Sequence, residues 1–533
     1  MKTKLTGLIL IALLQAACAP GFDLREDLRL ENATRLAQGT NFSRALESAP
    51  ARLQAMAAPL QNNLSQASAQ APAGCTPALP VNGSTAQAIN AALKAGAKAI
   101  CAEAGRLDEA VTITDGVSLF LGAGEYEQSA TLTLQGNRVA LVGATAFGTI
   151  LKMSAPGPQV QIGDFVDYYR VANLSLIRTH GDLAVGDNGV RTGKSNNNGV
   201  IEALWIEKQF DGLYLGVTAY SQIRDISVNE CARHGLVFTN LQHPGPTQYY
   251  MRDLLFTRND GFAIYASPDS GQMSVGNWDG IYTFHNKRGG VVLATANGHK
   301  VESLRMTNSF FGNDGYAGGG AEIAIHGGSL HAISNTFIEM SGFSGLDFNT
   351  IANDTPGIYL AAGVNTVNMS NLMVVNSSGP GVLSAAQNVL ISASTFANNG
   401  HRGRDDRNRS GIHNIGGGTM TLTGNQFPAI GAEQRVAIFN DGAAGSIIES
   451  GNRIDTSGGM IAQGNASAPV APTPPPSAPA SFIRTQFDLY LPGCWTAEKE
   501  SIWQTWFNNG GTQADFIWTL QNVATTNPSC LVR

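Results

Sequence analysis

Asp225-Ile226-Ser227-Val228, then Gly235-Leu236-Val237-Phe238, then Asp253-Leu254-Leu255-Phe256 are the segments whose reading decides the fold of this chain. Each alternates apolar residues at period two, the signature of a short strand with one buried face. Each opens on Asp or Gly, residues that tolerate the left-handed backbone of a sharp bend. The two kinds take turns: a polar-apolar-x-apolar segment, a turn, then a Gly-apolar-x-apolar segment. One pair reads as one coil, and the coil returns roughly every 22 to 36 residues.

Working outward, the first kind reappears at Asn173-Leu174-Ser175-Leu176, Ser303-Leu304-Arg305-Met306 and Asn371-Leu372-Met373-Val374. A variant with the apolar residue one place later occurs at Asn335-Thr336-Phe337, Ser394-Thr395-Phe396 and Asn425-Gln426-Phe427. The second kind recurs at Gly212-Leu213-Tyr214-Leu215, Gly261-Phe262-Ala263-Ile264, Gly290-Val291-Val292-Leu293 and Gly345-Leu346-Asp347-Phe348, with a weaker match at Gly411-Ile412-His413-Asn414. Stacked coils would bury their inward Leu, Ile, Val and Phe in one shaft. The expectation is an all-β chain: a right-handed, single-stranded parallel β-helix over residues 75–457, about ten coils at ~4.8 Å each. A propeller or sandwich would need antiparallel hairpins joined by two-residue turns, whereas the loops here are uneven. Ahead of the coils, Ser84 can cap a helix through Ala95, followed by strands at Ala99–Cys101, Val111–Ile113, Val117–Leu121, Ala130–Leu134 and Val139–Gly143. Such a helix would shield an otherwise open coil end.

Composition agrees. With 61 Gly, 43 % hydrophobic and only 14 % charged residues, the chain suits neither disorder nor long helical bundles. A net charge of −6 lacks the basic footprint of nucleic-acid binding.

The two ends differ from the middle. Lys2 and Lys4, the apolar run Leu5 to Leu14 and small residues at Ala16 and Ala17 read as an export signal. Leu14-Gln15-Ala16-Ala17-Cys18 resembles a bacterial lipoprotein box, giving a signal over residues 1–18 and lipidation at Cys18. That reading makes the protein an outer-membrane lipoprotein, periplasmic or at the cell surface. Ordinary cleavage after Ala19 is the competing route. Residues 19–74 carry scattered Leu and suit a helical or flexible tether, either a stalk or a coil packed on the body. An exported chain permits disulfides, and Cys75 with Cys101 and Cys494 with Cys530 are expected local bridges. Cys231 is left as a buried small apolar residue. Residues 458–480, with Pro469, Pro472, Pro474, Pro475, Pro476 and Pro479, form an extended linker. Residues 481–533 hold Trp495, Trp503, Trp506 and Trp518, and read as a small disulfide- and Trp-rich module. Those rings are either its core or a platform for sugars.

The repeats over residues 80–456, with Val139-Ala140-Leu141-Val142-Gly143 after the capped helix, resemble the pectin-lyase-like superfamily. The resemblance rests on coil pattern. It implies an extended groove on one outward sheet face and an extended polymer, hence a polysaccharide, as substrate. It also implies a choice among lyase, epimerase and hydrolase chemistry. Of the hydrolase motifs only Asp405-Asp406 is matched, and the Asp-Pro-His motif of mannuronan epimerases is missing.

One insertion stands out in so weakly charged a chain: His401-Arg402-Gly403-Arg404-Asp405-Asp406-Arg407-Asn408-Arg409-Ser410. Arg forks recognise carboxylates such as those of uronic acids. An Asp pair can bind Ca²⁺ or divide acid and base roles between its members. Arg404, Asp405, Asp406 and His401 are therefore the catalytic candidates, and Asp405 and Asp406 the metal candidates. Arg402, Arg407, Arg409 and His413 are the substrate-binding candidates, with Tyr249 and Tyr250 as sugar-stacking rings. Two further clusters are His234, His243, Arg252, Asp253 and Asp260, and then Trp278, Asp279, His285, Lys287 and Arg288. The functional expectation is an exported β-helix acting on an acidic polysaccharide, the alternative a non-enzymatic surface binder or adhesin.

Overall fold

A computed structural model describes residues 68–456 except 217, 240–248, 269–271, 296–298, 318–319, 344–354, 402–405, 430–432 and 442–444, and adds residues 64, 462–463, 483–484 and 504. The export signal with Cys18, most of the tether, the Pro-rich linker, and the Trp-rich module with Cys494 and Cys530 lie outside the described residues.

Among the described residues every pairing between the strands is parallel, in one 14-stranded and one 22-stranded sheet with two short two-stranded additions. The chain is a parallel β-helix. Each coil gives one strand to the 14-stranded sheet, called here the straight sheet, and one or two to the 22-stranded sheet, the bent sheet.

The bend is a column of single left-handed residues. Asn173, Ala203, Asp225, Asp253, Gly280, Asn308, Asn335, Asn371 and Ala393 stack in register, with φ between 49° and 69°. A second column, Lys208, Glu230, Arg258, His285, Asn313, Met340, Asn376 and Asn398, turns the chain out of the bent sheet with φ between 52° and 59°. Asn and Asp recur in these columns because their short side chains lower the cost of this backbone. Ser303 proves to belong to a different corner, and Asn308 holds the place first given to it.

Behind the second column runs a buried ladder. Asn259 Oδ1 accepts from the Cys231 amide (3.0 Å), Asn286 Oδ1 from the Asn259 amide (3.2 Å) and Asp314 Oδ1 from the Asn286 amide (2.6 Å). These side chains satisfy amides that the turns leave without a strand partner.

Between the sheets lies one continuous core, from Leu107 and Ile113 through Leu213, Leu254 and Val291 to Ile412 and Leu422. The helix α1 (Thr85–Lys94) packs against the first strands and contributes Ala86, Ile89 and Ala92 to that core. Ser84 caps it, accepting from the Gln87 amide at 3.2 Å. Cys75 and Cys101 form a disulfide across the first coil, and Cys231 is a buried free thiol.

Where the chain enters the straight sheet, successive coils carry Gly189, Gly212, Gly235, Ala263, Gly290, Glu322, Gly357, Gly381, Gly411 and Ala437 in register. Glycine is required by proximity: a Cβ on Gly212 would sit 2.6 Å from the Gly235 carbonyl oxygen. This register corrects the sequence reading at Gly261, where the rung is Ala263-Ile264-Tyr265-Ala266, two places on. Gly345-Leu346-Asp347-Phe348 falls outside the described residues, and the rung nearby is Gly357-Ile358-Tyr359-Leu360.

Candidate functional site

Two residues after that small-residue column, the straight sheet turns one side chain per coil outward. In register these are Arg191, Tyr214, Val237, Tyr265, Val292, Ala324, Tyr359, Leu383, His413 and Phe439. Rungs stand ~4.8 Å apart, so Tyr214 and Tyr265 are ~10 Å apart along the axis. The Arg191 guanidinium lies over the Tyr214 ring, 5.4 Å from its centre. Phe262 and Tyr265 pack beside Val292, Ala294, Ala321 and Ala324, an apolar patch that Tyr359 extends.

At the middle of this face three rings lie nearly parallel. His234 stacks on Tyr265 (4.9 Å, 9°) and on Phe262 (5.6 Å, 13°). His234 Nδ1 accepts from the Phe262 amide at 3.0 Å, which assigns the ring proton to Nε2. Burial, with help from the Arg233 and Arg288 cations, holds its pKa well below the usual histidine value. His234 is thus a neutral imidazole that can offer a proton from Nε2. Arg233 is clamped by Asp211, donating from Nε at 2.8 Å and from Nη2 at 2.5 Å. Arg288, by contrast, has no carboxylate or carbonyl partner for its guanidinium among the described residues, and neither has Arg191.

The described residues of the insertion singled out by its charge point in different directions. Arg402, Arg404 and Asp405 lie outside the described residues. Asp406 is exposed. Arg407 reaches the C-terminal end of the outward column: it lies 5.7 Å from the Phe439 ring centre and 3.7 Å from Asp441. His413 meets the same two residues, edge-on to Phe439 at 5.3 Å and 3.8 Å from Asp441. Arg409 faces Glu433 instead, donating to its carbonyl (2.7 Å) and its carboxylate (3.0 Å). His401 sits edge-on to Phe343 and beside Asn398, with its pKa lowered by burial.

Of the two tyrosines, Tyr249 is corrected. Tyr249 belongs to the core, 1 % exposed, and its hydroxyl donates to the Gly216 carbonyl, so it has no free face for a sugar. Tyr250 is exposed, but on the bent sheet, away from the aromatic column. Tyr214, Tyr265 and Tyr359 went unnoticed. They occupy the x of the Gly-apolar-x-apolar segment, and reading that one place down successive repeats would have found them.

Among the described residues no three His, Cys, Asp or Glu side chains gather closely enough to hold a metal ion.

No family model matches the chain, and no curated protein matches it. Among solved structures, it is similar to the A-module of an Azotobacter vinelandii mannuronan C-5 epimerase, at 15 % identity and a TM-score of 0.44 over 73 % of this chain and 97 % of that one. It is also similar to the catalytic unit of a Streptomyces thermodiastaticus GH87 α-1,3-glucanase, at 14 % identity and 0.35 over 73 % and 70 %. A third is a protein of Geobacillus virus E2, at 12 % and 0.35 over 64 % and 56 %. The likeness is one of fold. The epimerase and the glucanase are polysaccharide-active; what this chain does has to come from its own face.

Proposed function

We propose that this protein is an exported, carbohydrate-active β-helix that lays an acidic polysaccharide along the outer face of its straight sheet. The observation that carries the reading is the column Arg191–Tyr214–Tyr265–Tyr359, with Arg288, which has no carboxylate partner among the described residues, beside His234. Aromatic faces suit the apolar sides of sugar rings, and uncompensated guanidinium groups suit uronate carboxylates. Repetition along the axis suits a polymer.

The chemistry this face favours is elimination or epimerisation rather than hydrolysis. Hydrolysis by a carboxylate pair needs the two groups within about 10 Å. Two described carboxylates that border this face are Asp211, held by Arg233, and Asp441. They lie some eight rungs, on the order of 38 Å, apart. For either reaction Arg288 would neutralise the uronate carboxylate and so acidify its C5–H, with His234 Nε2–H as a hydrogen-bond donor to the sugar; the base that takes the C5 proton would have to come from outside these groups. A purely binding role is the second reading. It is favoured by Arg233 being tied to Asp211 and by Nδ1 of His234 being occupied by the Phe262 amide, which leaves no base among these groups.

Export is supported by the Cys75–Cys101 disulfide, which an oxidising compartment maintains. With it go the signal over residues 1–18 and lipid attachment at Cys18.

The test incubates the protein with a panel of uronans in heavy water. A C5 epimerase exchanges the C5 proton, a lyase adds the ultraviolet absorbance of an unsaturated uronate, and a binder retains the polymer with neither change. Equal affinity for neutral and acidic glycans would remove the acidic reading.

A further inference from the structure

Below Arg191 the straight sheet runs out of rings: its next outward residues down the rod are Gln161, Thr133 and Thr112. At that level the exposed rings stand instead on the corner where the chain passes from the straight sheet to the bent one. Arg138, Tyr168, Asn198 and Tyr220 form one column there on four successive rungs, each two residues ahead of the paired positions Ala140, Arg170, Val200 and Gln222. All four are left-handed, with φ between 52° and 58°. Asparagine suits that backbone and tyrosine does not. Yet Tyr168 is 59 % exposed and Tyr220 61 %, so packing accounts for neither ring. Phe165, also left-handed at φ 59° and 66 % exposed, stands three residues before Tyr168, and its amide donates to the Lys194 carbonyl of the next coil. An aromatic held in disfavoured backbone without burial points to a role outside folding.

We propose that this corner is an aromatic subsite, where the polysaccharide leaves the straight-sheet face and passes down the rod over Tyr220, Tyr168 and Phe165. The inference rests on the reading of that face as a binder of acidic polysaccharide, and adds where the polymer goes beyond it. Two observations favour this occupant. Tyr220 belongs to the coil of Tyr214 and Tyr168 to that of Gln161, so the corner takes up the aromatic track at the level where the sheet drops it. Tyr168 and Tyr220 are also two rungs apart, ~10 Å along the axis, the spacing of Tyr214 and Tyr265 on the face. A polymer of one repeat length fits both pairs. Charge contributes little here. Asp164, which accepts from the Lys194 amide, and Asp167, whose carbonyl accepts from the Arg138 amide, offset those two cations. The corner therefore holds sugar rings by stacking, in contrast to the Arg288 region of the face.

The test compares the full chain with its double variant Tyr168→Asn, Tyr220→Asn, which puts at both positions the residue type that Asn198 supplies between them. Titration uses a long uronan and a uronate oligomer shorter than the ~29 Å from Arg191 to Tyr359. The wild type should bind the long chain more tightly than the oligomer. The variant should bind the long chain about tenfold more weakly, at low and high salt alike, and the oligomer unchanged. Its melting temperature should be equal or higher, since asparagine relieves the left-handed backbone. Undiminished long-chain affinity would overturn the proposal, as would an equal loss for the oligomer. So would a lower melting temperature, because the rings would then serve the fold. Loss of binding to anionic lipid vesicles, with long-chain affinity intact, would assign the corner to a membrane surface and overturn it too. A wild type that binds no uronan removes the reading of the face and this inference together; one that binds oligomer and long chain equally removes only the corner.

Discussion

The outer surfaces of the two sheets share one rung spacing and use it in opposite ways. On the bent sheet, side chains in register bind each other. Glu202 is flanked by Arg170 and Arg224 from the coils on either side, each donating from Nε at 2.8 Å. Asn335 donates to Asn308 (3.4 Å) and Asn371 to Asn335 (3.2 Å) along the bend. On the straight sheet the column is aromatic and aliphatic, and among the described residues no carboxylate pairs with Arg191 or Arg288. A guanidinium already paired with a carboxylate is unavailable to an anionic ligand, and one without such a partner is available. The same logic separates the buried ladder, where an unmade hydrogen bond is costly, from the exposed one, where water replaces it.

The largest expected effect lies in the buried ladder. Asn286 accepts from the Asn259 amide and side chain and donates to the Phe256 carbonyl (3.1 Å) and to Asp314 (2.9 Å). Asn286→Ala strands several buried groups at once and should cost about 3 kcal/mol in denaturant unfolding. A loss no larger than that of an exposed asparagine would mean that the ladder is incidental to stability.

Next comes the straight-sheet face. Arg288→Ala and Tyr265→Ala should each weaken acidic-polysaccharide binding by about tenfold, near 1.4 kcal/mol. The Arg288 effect should shrink in high salt and the Tyr265 effect should not. Tyr250→Ala, on the bent sheet, should leave binding unchanged. Isothermal titration against a uronan reads all three, and a Tyr250 effect as large as that of Tyr265 would place the site on the wrong sheet.

How much of this was legible beforehand depends on which side of the backbone carried the signal. The bends were readable because Asn173, Asp225 and Asp253 each stand where φ is positive and precede an apolar alternation. The helix after Ser84 was readable from its cap. The outward column was not, because pattern reading weighs the apolar positions and discards the x between them. At Gly261 a glycine two places before the rung's Ala263 displaced the reading, and Tyr265 was hidden with it. The insertion at 401–410 drew attention through its charge, yet charge does not say which way a side chain turns. Within a few residues the coil sends Arg407 to the outer face, Arg409 to Glu433 and His401 to Phe343.

A smaller effect is expected where the small-residue column is broken. Glu322 stands among glycines and alanines, fully buried, with Oε1 accepting from the Asp314 amide at 2.9 Å. Asp314, also buried, accepts from the Asn286 amide and side chain and from Thr283. Burial pushes the Asp314 pKa up to about 6, and that of Glu322 rises well above the ordinary value through burial and the Asp314 charge. Unfolded, both carboxyls would release their protons near pH 4. Between about pH 4 and the raised folded values the folded chain therefore binds more protons than the unfolded one, and stability falls as pH rises through that window. Glu322→Gln removes one ionisation and should flatten the fall in melting temperature above pH 5, with little change at pH 4. An unaltered pH profile would mean that the pair does not hold its proton in the folded state.

The smallest effect completes the contrast between the ladders. Asn335 joins Asn308 and Asn371 at the surface, where water can take each bond. What Asn335 supplies there is mainly a tolerance for its φ of 49°. Asn335→Gly should preserve that backbone and change unfolding free energy by no more than about 0.5 kcal/mol. Asn335→Val should lose more, about 1–2 kcal/mol, because a β-branched side chain is strained in the left-handed region. If glycine proved as damaging as valine, the side-chain ladder rather than the bend would be what asparagine supplies, and the exposed column would rank with the buried one.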